Sequence, residues 1–202
     1  MGPRGAYARV MSWLARHAGL RFFRIFARRL EARGAPAPAG ALDYRWMSER
    51  DVVALCADAA LDLTASKVRA AYGRGDLCAG VFDGGQLAGY CWFAFSAAPH
   101  LDGLWLDFPA ELVYTYKSYV RPAFRGRGIA AAMYRFADPA SLERGRSLAI
   151  ICVESHNWPS IAAAKRGGFS SAGYAGYVGG EPLRAWRSGR AAHHGLRFYV
   201  PT

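Results

Sequence analysis

Acidic residues are scarce at one end of this chain: among its first 34 residues Glu31 stands alone against eight arginines, a net charge of +7. Lysine is scarce throughout, with three against 23 arginines, so the arginine preference itself carries little weight and the position of the charge carries more. No apolar run reaches the roughly 18 residues that a membrane-spanning helix needs. The four cysteines, Cys56, Cys78, Cys91 and Cys152, stand apart without a C-x-x-C or Cys/His ligand spacing, which suggests neither a disulfide framework nor a zinc site and suits a reducing cytoplasmic setting. There is no G-x-x-x-x-G-K-[ST], and G-x-G-x-x-G is incomplete, which argues against an NTPase or a dinucleotide fold. The overall net charge of +11 points to partners bearing phosphates, anionic lipid or acidic protein surface.

What is present is an ordinary globular composition, 52% hydrophobic and 20% charged over 202 residues, long enough for one domain. Residues 1–34 read as a basic amphipathic helical arm, in which Leu14, Phe22, Ile25, Phe26 and Leu30 approximate helical spacing and Gly19 bends the run. Three readings stay open for it: a helix docked on its own domain, an arm that binds a membrane surface or an acidic acyl-carrier protein and so favours long-chain acyl donors, or a transit peptide. Residues 35–41 form a Pro/Gly/Ala linker, and residues 42–202 the folded domain. Within it, Ser48 and Asp51 have capping-box spacing, and Asp83-Gly84-Gly85 separates two strand-like runs as a hairpin does. The segment from Pro99 to Pro109 reads as a long loop. The run "ELVYTYKSYV" then alternates, with Leu112, Tyr114, Tyr116, Ser118 and Val120 on one face. A helix over about 128–137, a buried strand "SLAIICVE", a helix capped by Asn157 and two final strands complete the chain.

Helix starts leave N–H groups without intrahelical partners, and with the helix dipole these attract anions. In "RPAFRGRGIA", Pro122 stops strand pairing, Gly126 and Gly128 open the backbone, and a helix begins at Ile129. A pyrophosphate suits that geometry, with Arg125 and Arg127 to offset its charge. Alone, the segment would equally serve as a tight turn with solvated arginines.

Taken together, two motifs resemble the GNAT acyltransferase superfamily. Its signature R/Q-x-x-G-x-G/A corresponds to Arg125, Gly126, Arg127, Gly128, Ile129 and Ala130, and its N-x-x-S/A segment to Asn157 and Ser160, followed by Gly168 and Phe169. The resemblance implies an α/β (α+β) fold: a mixed, mostly antiparallel sheet flanked by helices, with a V-shaped splay between two central parallel strands. It also implies acetyl-CoA or another acyl-CoA as co-substrate, a primary amine on a small molecule or protein as acceptor, and no metal. Ser118, Tyr119 and Val120 would hold the pantetheine arm, the amides from Arg125 to Ala130 the pyrophosphate, and Asn157 and Ser160 the region near the thiol.

Relatives with the same motifs carry a tyrosine seven residues after the asparagine as general acid and, in some, a glutamate five residues before it. This chain has Ala164 and Cys152 there. The remaining candidates for proton transfer are Tyr114 and Tyr116 on the central strand and Glu154 and His156 after the next one, with a water relay or a non-catalytic acyl-CoA-binding protein as alternatives. Tyr114 stands where some relatives have a glutamate base. Residues 105–108, "WLDF", are placed to overhang the acceptor. His193 and His194 do not read as a metal pair, because neighbours on a strand point apart. The domain after the linker carries only +4 with no nucleic-acid motif, so nucleic acid is not an expected partner.

Overall fold

The computed structural model describes residues 2–32, 42–101, 103–179 and 184–201. Its strands are β1 Leu20–Arg29, β2 Leu42–Met47, β3 Leu77–Asp83, β4 Gln86–Ala94, β5 Ala98–Leu101, β6 Leu104–Asp107, β7 Leu112–Val120, β8 Leu148–Glu154, β9 Ser170–Val178, β10 Arg184–Arg187 and β11 Arg197–Tyr199. Its α-helices are α1 Pro3–His17, α2 Glu49–Leu55, α3 Ala65–Gly73, α4 Ile129–Phe136, α5 Asp138–Glu143, α6 Trp158–Arg166 and α7 Gly189–His193.

Local chemistry accounts for several of these boundaries. Ser48 Oγ accepts the Asp51 N–H while Asp51 accepts the Ser48 N–H, so the capping box starts α2 as its spacing predicts. Gly84 and Gly85 both take positive φ, 54° and 85°, in the two-residue turn that joins β3 to β4. Asn157 caps α6 by accepting the Ser160 N–H at 3.2 Å.

Eight strands form one sheet in the order β10-β9-β1-β8-β7-β4-β3-β2, and β11-β6-β5 form a second, smaller one. Every neighbouring pair in the large sheet is antiparallel except β7 and β8. Those two run parallel only from Leu112↔Leu148 to Thr115↔Ile151. Beyond that register Tyr116–Val120 stays with β4, and the end of β8 stays with β1. The sheet opens there, which is the splay expected from the sequence.

Two expectations need correction. The amphipathic arm is helical only over Pro3–His17; Gly19, at φ 58°, ends it, and Leu20–Arg29 is a strand lying between β8 and β9. The reason is burial on both faces: Phe23, Ile25, Phe26 and Ala27 are all buried, so the segment reads as a continuous apolar run in which helical and strand spacing coincide. Arg28 is fixed there by a two-point pair with Asp138, at 2.6 and 2.7 Å. The basic segment therefore belongs to the sheet and is not an appendage. Residues 35–41, read as the linker, lie outside the described residues. The second correction is the loop from Pro99 to Pro109, most of which forms the β5–β6 hairpin closed by β11. In addition, His193 ends α7 and His194 caps it, so neither sits on a strand.

Candidate active site

Two cavities flank the point where β7 and β8 part. The first, about 370 Å³, runs from the end of β7 to the start of α4 and across to α6. The second, about 620 Å³, lies on the other side, beneath α3 and the β5–β6 hairpin. Both are lined by Ser118, Tyr134, Asn157 and Ser160, so they meet at the splay.

The first cavity has the character of an anion site. Gly126 and Gly128 take φ of 81° and 78°, which side chains other than glycine rarely adopt, and a Cβ on either would meet open space within 4 Å. Positive φ, not crowding, is what requires glycine there, and it leaves room for a ligand over the backbone. The Ala132 N–H donates to the Gly128 carbonyl, so the N–H groups ahead of it lack intrahelical acceptors, and Gly128 to Ala131 line the opening. Ser118, Tyr119, Val120, Arg125, Gly126, Gly128, Ile129, Ala130, Asn157 and Ser160 all line this cavity. Arg127 is the exception: its guanidinium turns to Asp83 at 3.3 Å and stacks over Phe124 at 5.5 Å. Arg166 at the end of α6 lines the cavity and was not expected.

A bulge in β7 shapes the junction. The register with β4 passes from Trp92↔Tyr116 to Tyr90↔Tyr119, leaving Lys117 and Ser118 together opposite Cys91, and Lys117 takes φ of 42°. Strict alternation therefore stops at Tyr116. Gly89 permits the close approach, since a Cβ there would lie 2.6 Å from the Tyr119 carbonyl oxygen. Lys117 is held by Asp62 at 2.7 Å.

Of the four candidates for proton transfer, Tyr114, Tyr116 and Glu154 line the second cavity. His156 lines neither cavity. The turn after β8, closed by the Asn157 N–H to the Glu154 carbonyl, carries it toward α1, where its Nε2 lies 3.4 Å from Ser12 Oγ and 3.7 Å from Glu154. Glu154 is engaged by Arg21 at 2.6 Å and stays partly exposed. Tyr114 is buried, and its hydroxyl lies 2.6 Å from His100 Nδ1. Burial pushes the Tyr114 phenol up and depresses His100 to about 3, so both are neutral at physiological pH. The Tyr116 hydroxyl donates to Asp76 at 2.7 Å, and Arg74 donates to the same carboxylate oxygen at 2.6 Å while lying over Trp105. Burial raises the Asp76 carboxyl and the Tyr116 phenol. Cys152 is pushed up to about 12 by burial, which keeps it a thiol and leaves it unsuited to act as a nucleophile.

His100, Arg74 and Asp76 were missed. His100 falls in a stretch with loop composition, and Arg74 and Asp76 flank Gly75 in a turn, so nothing in their spacing announces a site.

Comparison with known proteins accords with this geometry. The Acetyltransferase (GNAT) family matches residues 44–169, more than half of the chain. Among solved structures, a GNAT-family protein from Novosphingobium aromaticivorans is 18% identical with a TM-score of 0.57 over 84% of this chain and 66% of that one. A GCN5-related N-acetyltransferase from Sphaerobacter thermophilus is 18% identical with a TM-score of 0.55 over 88% and 56%. A GNAT-family acetyltransferase from Colwellia psychrerythraea is 19% identical, with a TM-score of 0.52 over 76% and 53%. At these identities the likeness is one of fold, and this chain spans less than two thirds of each of those chains. No curated protein matches the sequence. On the family match, with the fold in agreement, the chain belongs to the GNAT acetyltransferase family.

Proposed function

We propose that the protein is an N-acyltransferase that moves an acyl group, acetyl in the simplest case, from acyl-CoA to a primary amine by direct attack. The observation that carries this reading is the meeting of the two cavities at Ser118, Tyr134, Asn157 and Ser160, where the parallel strands part. The glycine-opened α4 terminus fits a pyrophosphate, and acyl-CoA supplies an activated thioester when bound. Residues of β7 from Ser118 to Val120 line the slot leading to the junction, and an N–H near Val120 stabilises the oxygen of the attacked carbonyl. The second cavity receives the amine. Its walls include Trp92, Trp105, Tyr114 and Tyr116, which favour an acceptor with an aromatic or apolar body. Glu154, at the junction side of that cavity, takes the ammonium proton directly or through water, while Tyr114 and Tyr116 are held in place by His100 and Asp76. The test is turnover of acetyl-CoA against a panel of primary amines; binding without turnover across the panel would favour a non-catalytic acyl-CoA-binding role.

A second reading concerns where the protein works. Among the described residues, six of the seven exposed large apolar side chains, Tyr7, Val10, Trp13, Tyr174, Val178 and Trp186, lie on α1 or on the same side of the sheet. Register places Tyr174 opposite Arg24 and Trp186 opposite Gly176, while Tyr7, Arg4 and Arg24 all contact Trp158. α1, β1, β9 and β10 contain no acidic residue and many arginines. Self-association through this side would oppose like charges, whereas an anionic lipid surface accepts both the arginines and the amphipathic aromatics. Sedimentation with anionic vesicles, weakened by Trp13→Ala with Trp186→Ala, is the expected result. Equal recovery with neutral vesicles, or binding only to an acidic carrier protein, would contradict it.

A further inference from the structure

We propose that Tyr134 is the general acid that protonates the departing thiolate, a role that rests on the acyl-transfer reading above. Thiolate expulsion needs a proton, and the position seven residues after Asn157 holds Ala164, which has none to give. Ala164 is fully buried in the cluster that also contains Tyr134 and Phe169. The Tyr134 ring, coming from the neighbouring helix α4, packs edge-on to Phe169 at 5.7 Å. A Cβ on Gly167 would lie 3.0 Å from that ring, so Tyr134 rests against the last turn of α6, next to the side chain that Ala164 truncates.

Position singles Tyr134 out from the other tyrosines. Tyr119 lines the first cavity only, Tyr114 and Tyr116 the second only, and Tyr134 lines both. Ser118, which is exposed, lines both cavities as well, and its side chain offsets part of the rise that burial imposes on the Tyr134 phenol. Burial raises the phenol, so it remains a proton donor at neutral pH.

The step balances without another reactant. The amine nitrogen bonds to the carbonyl carbon, the C–S bond breaks, and sulfur keeps the bonding pair. That sulfur takes the Tyr134 O–H proton, and the tyrosinate recovers one through Ser118 from the proton that nitrogen releases. Amine and thioester become amide and thiol.

Two measurements on the full chain test this role. In the first, the ultraviolet thiolate band of bound CoA is titrated, which needs binding but no turnover. A hydrogen bond from Tyr134 stabilises the thiolate, so the bound thiol should ionise at lower pH in the wild type than in Tyr134→Phe. Identical titrations would overturn the proposal. In the second, single-turnover transfer from acetyl-CoA to phenethylamine should fall by about 100-fold or more in Tyr134→Phe, with acetyl-CoA affinity and thermal stability held within experimental error. The solvent deuterium isotope effect of the wild type should shrink toward unity in the variant. Full activity, or an unchanged isotope effect at reduced rate, would overturn it. A wild type that binds acetyl-CoA but acylates no amine would count against the proposed function, while the CoA titration would still decide the role of Tyr134.

Discussion

The Tyr114 hydroxyl and His100 Nδ1 lie 2.6 Å apart, joining the central strand β7 of the large sheet to strand β5 of the small one. Edge-on contacts of His100 with Phe23 at 4.5 Å and Phe198 at 5.4 Å bring β1 and β11 to the same point. One wall of the second cavity thus depends on a neutral histidine.

That dependence has a pH signature. Burial lowers His100 from an ordinary 6.5 to about 3, so the unfolded chain binds the extra proton first. The stabilising contribution is complete above pH 6.5 and is lost as pH falls toward 3, by about 1.4 kcal/mol per unit. Thermal unfolding of the wild type should therefore lose ground to His100→Gln as pH drops through this window. Parallel curves for the two proteins would contradict the placement of His100.

Arg28 and Asp138 form a two-point pair with side chains only 5% and 1% exposed, linking β1 to α5. Removing one partner strands a buried charge, so Arg28→Met should destabilise the fold by about 3–5 kcal/mol in denaturant titration. A change below about 1 kcal/mol would mean that the basic segment is not part of the core.

Gly128 caps α4 at φ 78° with open space beyond it. Gly128→Ala strains the backbone by about 1–2 kcal/mol, enough to weaken acetyl-CoA binding by roughly tenfold if the loop must hold its shape to bind. Calorimetric titration measures this. Unchanged affinity would move the pyrophosphate away from this terminus.

Glu154→Gln should slow acyl transfer at pH 7 by about 100-fold, with the deficit shrinking as pH rises and more acceptor is already the free amine. A pH-independent loss would assign Glu154 to structure through its Arg21 contact, not to proton removal.

The parts of the fold legible in the sequence were those set by local chemistry. Gly84-Gly85, Ser48 with Asp51, and Asn157 each announce a turn or cap because their side chains or φ freedom act within a few residues. The strand Leu20–Arg29 was not legible, because its apolar residues fill both faces of a central strand and its partners lie more than a hundred residues away. The cofactor side of the candidate site could be read because an anion cradle is built from consecutive residues. The second cavity could be read only in part: Tyr114, Tyr116 and Glu154 do line it, but His100, Arg74, Asp76 and Tyr134 are brought to it only through tertiary packing, and His156 is turned toward α1 by contacts that its spacing does not announce.

The central claim, that the joined cavities transfer an acyl group, is tested most directly by incubating the purified protein with acetyl-CoA and a panel of primary amines and recording products by mass spectrometry. The expected result is an N-acetylated amine formed together with an equal amount of free CoA. Acetyl-CoA that is bound but left intact across the whole panel would contradict it.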